Sequence, residues 1–297
     1  MHKQEDNTML RLRRDIPLFP EGRRKALTLS YDDGVTQDER LIDLMRGYGI
    51  KGTFNISAGL AGDNDWLEQP GIQVEHHKFP KERIAEVYAG QEIAVHTMTH
   101  PDLTKVPEGM AAYEIAACRR ELEELVKAPV TGMAYPMGTW NDRVKRTAAS
   151  CGITYARTTK PTFDFALPED FLEWHPTCHH TEPGMMELLE KFLKPIDPER
   201  FLSPWLYFLW GHAYEFDGFG QWEEIEEFLK KASGHEEIWY ASNGEICEYL
   251  KAVRNLVYSA TGDYIYNPSC IDVWMLIDGK KYRIRSGETI VVPYVHH

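Results

Sequence analysis

Cysteine is scarce: the 297 residues hold 5, Cys118, Cys151, Cys178, Cys247 and Cys270, widely scattered and without a CxxC pair. An odd number at such spacing argues against a disulfide framework and suits reduced thiols in a cytosol. Long apolar runs are missing as well. The opening MHKQEDNTMLRLRRDIP lacks the roughly seven consecutive apolar residues of a secretory leader, and nothing later approaches the roughly 20 of a membrane span, so the expected location is the cytoplasm. Positive charge is in deficit. Lys and Arg number 33 against 46 Asp and Glu, and the net −13 repels phosphate backbones and anionic lipid, which disfavours nucleic acid and membrane surfaces as partners. The basic cluster Arg11, Arg13, Arg14, Arg23, Arg24 and Lys25 reads as a solvated edge ahead of the first strand.

What is present is a globular composition, 43% hydrophobic and 27% charged. Short β-rich runs alternate with helical patterns from residue 26 to about residue 259. The expected strands are 26–31, 52–56, 92–95, 130–135, 153–156, 171–174, 205–210 and 237–241, with a helix over 37–46 opened by Thr36 and closed by Gly47 and Gly49. Alternation this long predicts an α/β fold: a distorted (β/α) barrel of about seven or eight parallel strands, with an open doubly wound sheet as the competing arrangement. From residue 261 the pattern turns antiparallel, with Asp278-Gly279 as a hairpin signal. The expected division is an N-terminal extension (1–25), a barrel (26–260) and a small β-hairpin appendage (261–297).

In such a barrel the reactive groups follow the strands. After the first expected strand come Asp32 and Asp33, after the third His96 and His100, after the fifth Arg157, and after the seventh His212. Two histidines four residues apart plus a carboxylate from another strand match a catalytic zinc with three protein ligands and one open position. Pro101 keeps His100 off helical backbone, so a tight turn must bring the two rings together. Of the adjacent carboxylates, one can bind the ion while the other takes a proton; an acidic turn before a helix is the plainer alternative.

Residues 30–34 (SYDDG), 96–100 (HTMTH), 134–138 (AYPMG) and 209–212 (LWGH) resemble, in that order, the successive motifs of the polysaccharide deacetylases, also called NodB-like deacetylases or carbohydrate esterase family four. The resemblance spans about residues 26–240. It implies removal of N- or O-acetyl groups from sugars with one divalent metal, usually zinc, and a metal-activated water as nucleophile. Carried over, Asp33, His96 and His100 would bind the metal, Asp32 would be the general base and His212 the general acid. Tyr135 and Met137 would line the substrate, the Met137 backbone N–H helping to hold the oxyanion. The third motif of the family carries an Arg that orients the catalytic Asp; Ala134 stands there in this chain, and Arg157 is the expected substitute.

Residues 172–180 (LEWHPTCHH) fall where the resemblance implies an aromatic wall, and Trp174 is the candidate. His175, Cys178, His179 and His180 suggest a second metal site, but adjacent side chains diverge, and hydrogen bonding in a rim loop is the expectation; His76 and His77 are read the same way. Glu215 or Asp217 can orient His212 or simply cap a helix. The expected activity is amide hydrolysis on an acetylated amino sugar or saccharide. A cyclic-amide hydrolase on the same fold, or a metal-containing carbohydrate-binding protein without turnover, are the alternatives. The expected partner is a small-molecule or oligosaccharide substrate, and homo-oligomerisation stays open.

Overall fold

The structure is a computed structural model that describes residues 13–69, 71–197 and 203–292. The chain divides into two compact units, Lys25–Pro195 with Trp205–Cys247, and Met1–Arg24 with Ile196–Pro204 and Glu248–His297.

The larger unit is built on strands β1 (Lys25–Asp32), β2 (Gly52–Ile56), β3 (Glu92–Val95), β4 (Gly132–Ala134), β5 (Tyr155–Arg157), β6 (Cys178–His179), β7 (Trp205–Gly211) and β8 (Ile238–Tyr240). Their spatial order is β5-β4-β3-β2-β1-β7-β6, with β8 paired to the start of β1, and every pairing is parallel. All residues of β1 and β2 are buried, as strands covered on both faces must be. Helix Asp38–Gly47 buries Leu41, Ile42 and Met45 against this sheet, and helix Trp222–Ala232 buries Ile225, Phe228 and Leu229. The expected α/β fold with a distorted parallel barrel is therefore the observed one.

The barrel is closed by an irregular segment, and here and elsewhere in this unit three expectations need correction. Residues 171–174 are not a strand: Phe171–Glu173 form a 3-10 turn, because the Asp170 side chain accepts from the Leu172 N–H and bends the chain. Only Trp174 continues the sheet. Its N–H donates to Ala156 O at 3.0 Å and its carbonyl accepts from Thr158 N–H at 3.0 Å. Six residues on, His180 N–H donates to Trp210 O at 2.9 Å, so the segment from Trp174 to His180 links β5 to β7. Helix Asp38–Gly47 has Gln37, not Thr36, at its N-cap, since the Thr36 hydroxyl engages Gln37 Oε1 instead of a backbone N–H. Lys25 is not part of a solvated edge either; it is buried, and its Nζ donates to the carbonyls of Leu193 and Lys194 that end a helix.

An antiparallel hairpin of Asn64–Gln69 and Ile72–His77, absent from the expectations, follows β2 and precedes β3 along the chain. Its second strand runs beside the turn after β1: Thr36 N–H donates to His77 O at 2.8 Å, and Gln37 Nε2 to Glu75 O at 2.8 Å.

The smaller unit holds two three-stranded antiparallel sheets. One contains Asp15–Leu18, Val273–Ile277 and Lys280–Ile284; the other contains Val257–Tyr258, Tyr264–Tyr266 and Thr289–Val291. Leu256, Ile265, Val273, Met275, Ile277 and Ile284 form its core. Asp278 (φ 45°) and Gly279 (φ 80°) make the hairpin turn that their sequence signals. Among the described residues no helix is long and apolar enough to cross a membrane.

Candidate metal centre and its acid–base neighbours

Side chains alternate along a strand, so two adjacent aspartates at a strand end ordinarily face apart. Here Asp33 adopts a left-handed backbone, φ 82°, and the alternation breaks. Both carboxylates then reach the same imidazole: His96 Nε2 lies 3.9 Å from Asp32 Oδ2 and 3.7 Å from Asp33 Oδ1. A similar device shapes residues 96–100, where Thr97 (φ 66°) and His100 (φ 57°) are also left-handed. The turn is held by His100 N–H donating to Thr97 Oγ1 at 3.1 Å and by Glu114, whose carboxylate accepts from both Thr99 N–H and Thr99 Oγ1 at 2.8 Å. It brings the His96 and His100 Nε2 atoms to 3.1 Å, with His100 Nε2 3.8 Å from Asp33 Oδ1.

The donor set can be tested against a cation. Bonds of about 2.0–2.1 Å in tetrahedral geometry put ligand atoms about 3.3–3.4 Å apart, near the separations found here. Tautomers agree. The His96 Nδ1 lies 2.9 Å from Ala134 O, which can only accept, so Nδ1 carries the proton and Nε2 a lone pair. Burial, the largest influence on His96, pushes its pKa down to about 4 and keeps the ring neutral. A lone pair facing a carboxylate oxygen is repulsive unless a cation lies between them, and Asp33, His96 and His100 fit one.

Asp32 is held differently. Asn55 Nδ2 donates to its Oδ1 at 2.9 Å, and Arg157, fully buried rather than a surface cation, donates from Nη2 to its Oδ2. The guanidinium also lies over the Trp210 ring, 4.3 Å from its centroid. Burial opposes ionisation of Asp32, but its charged neighbours, Arg157 foremost, outweigh it and hold the carboxyl below its usual range. For Asp33 burial is likewise overcome, foremost by the hydrogen bond from His76 and then by Lys78 and His212.

His212 follows β7 and presents Nε2 to Asp32 Oδ2 at 3.9 Å. Its Nδ1 meets Glu215 Oε2 at 3.2 Å, and its backbone N–H donates to the same oxygen at 3.1 Å. Asp217 takes no part, accepting instead from Trp222 Nε1 at 2.7 Å. Burial pushes the His212 pKa down, yet the hydrogen bond to Glu215 and the charges of Asp33, Asp32 and Glu215 raise it to about 9.

His179 and His180 also converge on Glu215, their Nε2 atoms 3.3 and 3.2 Å from Oε2. This trio resembles a second metal site in distance but not in hydrogen bonding. The Thr181 N–H donates to His179 Nδ1, so the proton of that ring sits on Nε2 and points at Glu215. His179 is a donor there, as expected of a rim loop. His175 and Cys178 lie elsewhere, on Thr158 Oγ1 and the Tyr207 hydroxyl.

Two of the proposed substrate contacts are corrected. Trp174 is 1% exposed and packed edge-to-face with Tyr155, Phe171 and Phe208, so its ring forms core rather than a wall. Tyr135 is equally buried, and its hydroxyl donates to Leu172 O at 2.7 Å. Met137 is 64% exposed, at φ 57° in the turn after β4. Sequence reasoning missed Asn55, Glu114 and Lys78 as supports, none of which carries a signal; His76 hydrogen-bonds as expected, though from a hairpin strand rather than a rim loop.

The family model for polysaccharide deacetylases matches residues 20–156, which bears out the resemblance over the first three motifs; residues 209–212 lie beyond the match. A chitooligosaccharide deacetylase from Rhizobium leguminosarum bv. phaseoli is 24% identical over 177 residues, 58% of this chain and 70% of that protein. One from Sinorhizobium fredii is 24% identical over 146 residues, 48% of this chain and 61% of that protein. A crystal structure from Mycobacterium smegmatis, assigned by name to the polysaccharide deacetylases, shares the fold: TM-score 0.57 at 17% identity, over 80% of this chain and 94% of that one.

Proposed function

We propose that this chain, whose residues 20–156 match the polysaccharide deacetylases, is a metal-dependent hydrolase that removes the acetyl group from an acetylated amino sugar or saccharide. The observation that carries the reading is the meeting of Asp33, His96 and His100 donor atoms within 4.8 Å of one another, beside a clamped Asp32 and a protonated His212. Two imidazoles and one carboxylate favour zinc. When bound, such an ion lowers the pKa of water to about 7 and polarises an acyl oxygen.

The residues then divide the proton traffic. Asp32 Oδ2, ionised and fixed by Arg157, accepts the proton of the attacking water. Arg157 keeps that oxygen on the side of the His pair and substitutes for the Arg that Ala134 replaces. His212 holds its proton on Nε2, because Nδ1 is engaged by Glu215, and delivers it to the departing nitrogen. The Met137 N–H, on an exposed turn, contributes to holding the oxyanion. The conjunction of clamp, base and acid supports turnover over a binding-only role.

Metal content and acetate release from N-acetylated oligosaccharides test the reading. Native protein is expected to hold one ion and release acetate, Asp32→Asn to keep the ion and lose roughly 10²- to 10⁴-fold in rate, and His212→Ala to behave likewise. His100→Ala should lose ion and activity together. Native protein that binds no divalent ion, or binds one and releases nothing from a broad amide panel, overturns the proposal.

A further inference from the structure

His76 lies against the centre, and the scheme above gives it no role. It ends the hairpin strand Ile72–His77, and its Nε2 lies 3.0 Å from Asp33 Oδ2, the carboxylate oxygen turned away from His96 and His100. An ionised carboxylate can only accept, so the His76 proton sits on Nε2 and that atom has no lone pair for an ion. Its position agrees, since it is not among the three donors that converge within 4.8 Å. The ring is braced edge-on against Tyr214, 4.8 Å between centroids at 90°. Two residues on, and thus on the same side of the chain, buried Lys78 donates from Nζ to Asp33 O at 3.1 Å. One short stretch therefore grips Asp33 at both its carboxylate and its left-handed backbone.

We propose that His76 is a positioning residue that engages Asp33 Oδ2, fixes the carboxylate rotamer and leaves Oδ1 alone to bind the ion. The inference rests on the metal site proposed above. An unrestrained carboxylate rotates about its last bond, so the ion must order it on binding; a hydrogen-bonded one is already ordered. Hydrogen bonds of this kind to ligating groups are worth about 10- to 100-fold in metal affinity.

The test uses the full chain, stripped of metal and titrated with Zn2+ against a chromogenic chelator. Native protein should bind one Zn2+ per chain, and His76→Ala should bind it about 10- to 100-fold more weakly. His76→Gln, which retains an N–H donor of similar reach, should recover part of the loss. His77→Ala, a neighbour turned towards Glu75, should match native. X-ray absorption at the zinc edge should count the same number of imidazole ligands in native and His76→Ala protein. Equal affinity of His76→Ala and native protein overturns the role of His76 while leaving the metal site standing, and so does the loss of one imidazole from the coordination shell. Native protein that takes up no Zn2+ overturns the site itself. Thermal melting of each variant separates weaker binding from failure to fold.

Discussion

A buried imidazole normally sheds its proton, yet His212 keeps one because Glu215 and two aspartates surround it. In the metal-free protein, side-chain NMR should follow His212 titrating at about 9, and Glu215→Gln, which removes the charge but keeps the shape, should move that titration down by more than one unit. A titration unmoved by Glu215→Gln would show that the carboxylate does not set the proton. The sign for stability follows. The folded pKa exceeds the unfolded value of about 6.5, so the contribution from this pairing is complete below that pH and is lost as pH rises through about 9. The reverse environment surrounds Arg157. With its guanidinium fully buried on Asp32, removal of either partner strands a charge away from water.

Among the elements, β7 sets how close the rim loop can approach. A Cβ on Gly211 would collide with His180 Nδ1, and that ring is stacked on Phe216 at 4.3 Å and on Tyr31 at 5.7 Å. Gly211→Ala should therefore cost about 1–3 kcal/mol in urea denaturation, the usual range for overpacking. A loss below 0.5 kcal/mol, roughly the scatter of neutral surface changes, would mean that the loop yields. The same region marks where the sequence could and could not be read. Buried parallel strands announce themselves as apolar runs, so Asp32, His96, Arg157 and His212 were findable at strand ends. The closing segment gives no such run: it meets β5 through the two backbone bonds of Trp174 and β7 through the two-residue strand β6, and the Asp170 cap bends what composition presents as a strand. Trp174 was misread because an aromatic residue in a polar loop looks like a ligand surface, and its burial depends on Phe208 from a distant strand. The hairpin bearing His76 was invisible for a different reason. Its pattern is mostly polar, and its value lies in the partner it meets.

At the scale of the molecule, distance along the chain separates the ion ligands from the clamp. Asp33, His96 and His100 all fall within the first 100 residues and hang on β1 and β3, with β2 between them. Asp32 meets Arg157 across 125 positions, and that meeting requires β3, β4 and β5 to have docked in turn. Pairings between distant parts of a chain form slowly, since loop closure precedes any reward from contact. During refolding in the presence of Zn2+, capture of the ion should run ahead of the return of acetate release, and the lag should lengthen when docking of β5 is weakened. Simultaneous recovery of both would argue against this order. Such a lag would mean that the refolding chain passes through a stage at which it already owns its metal and cannot yet use it.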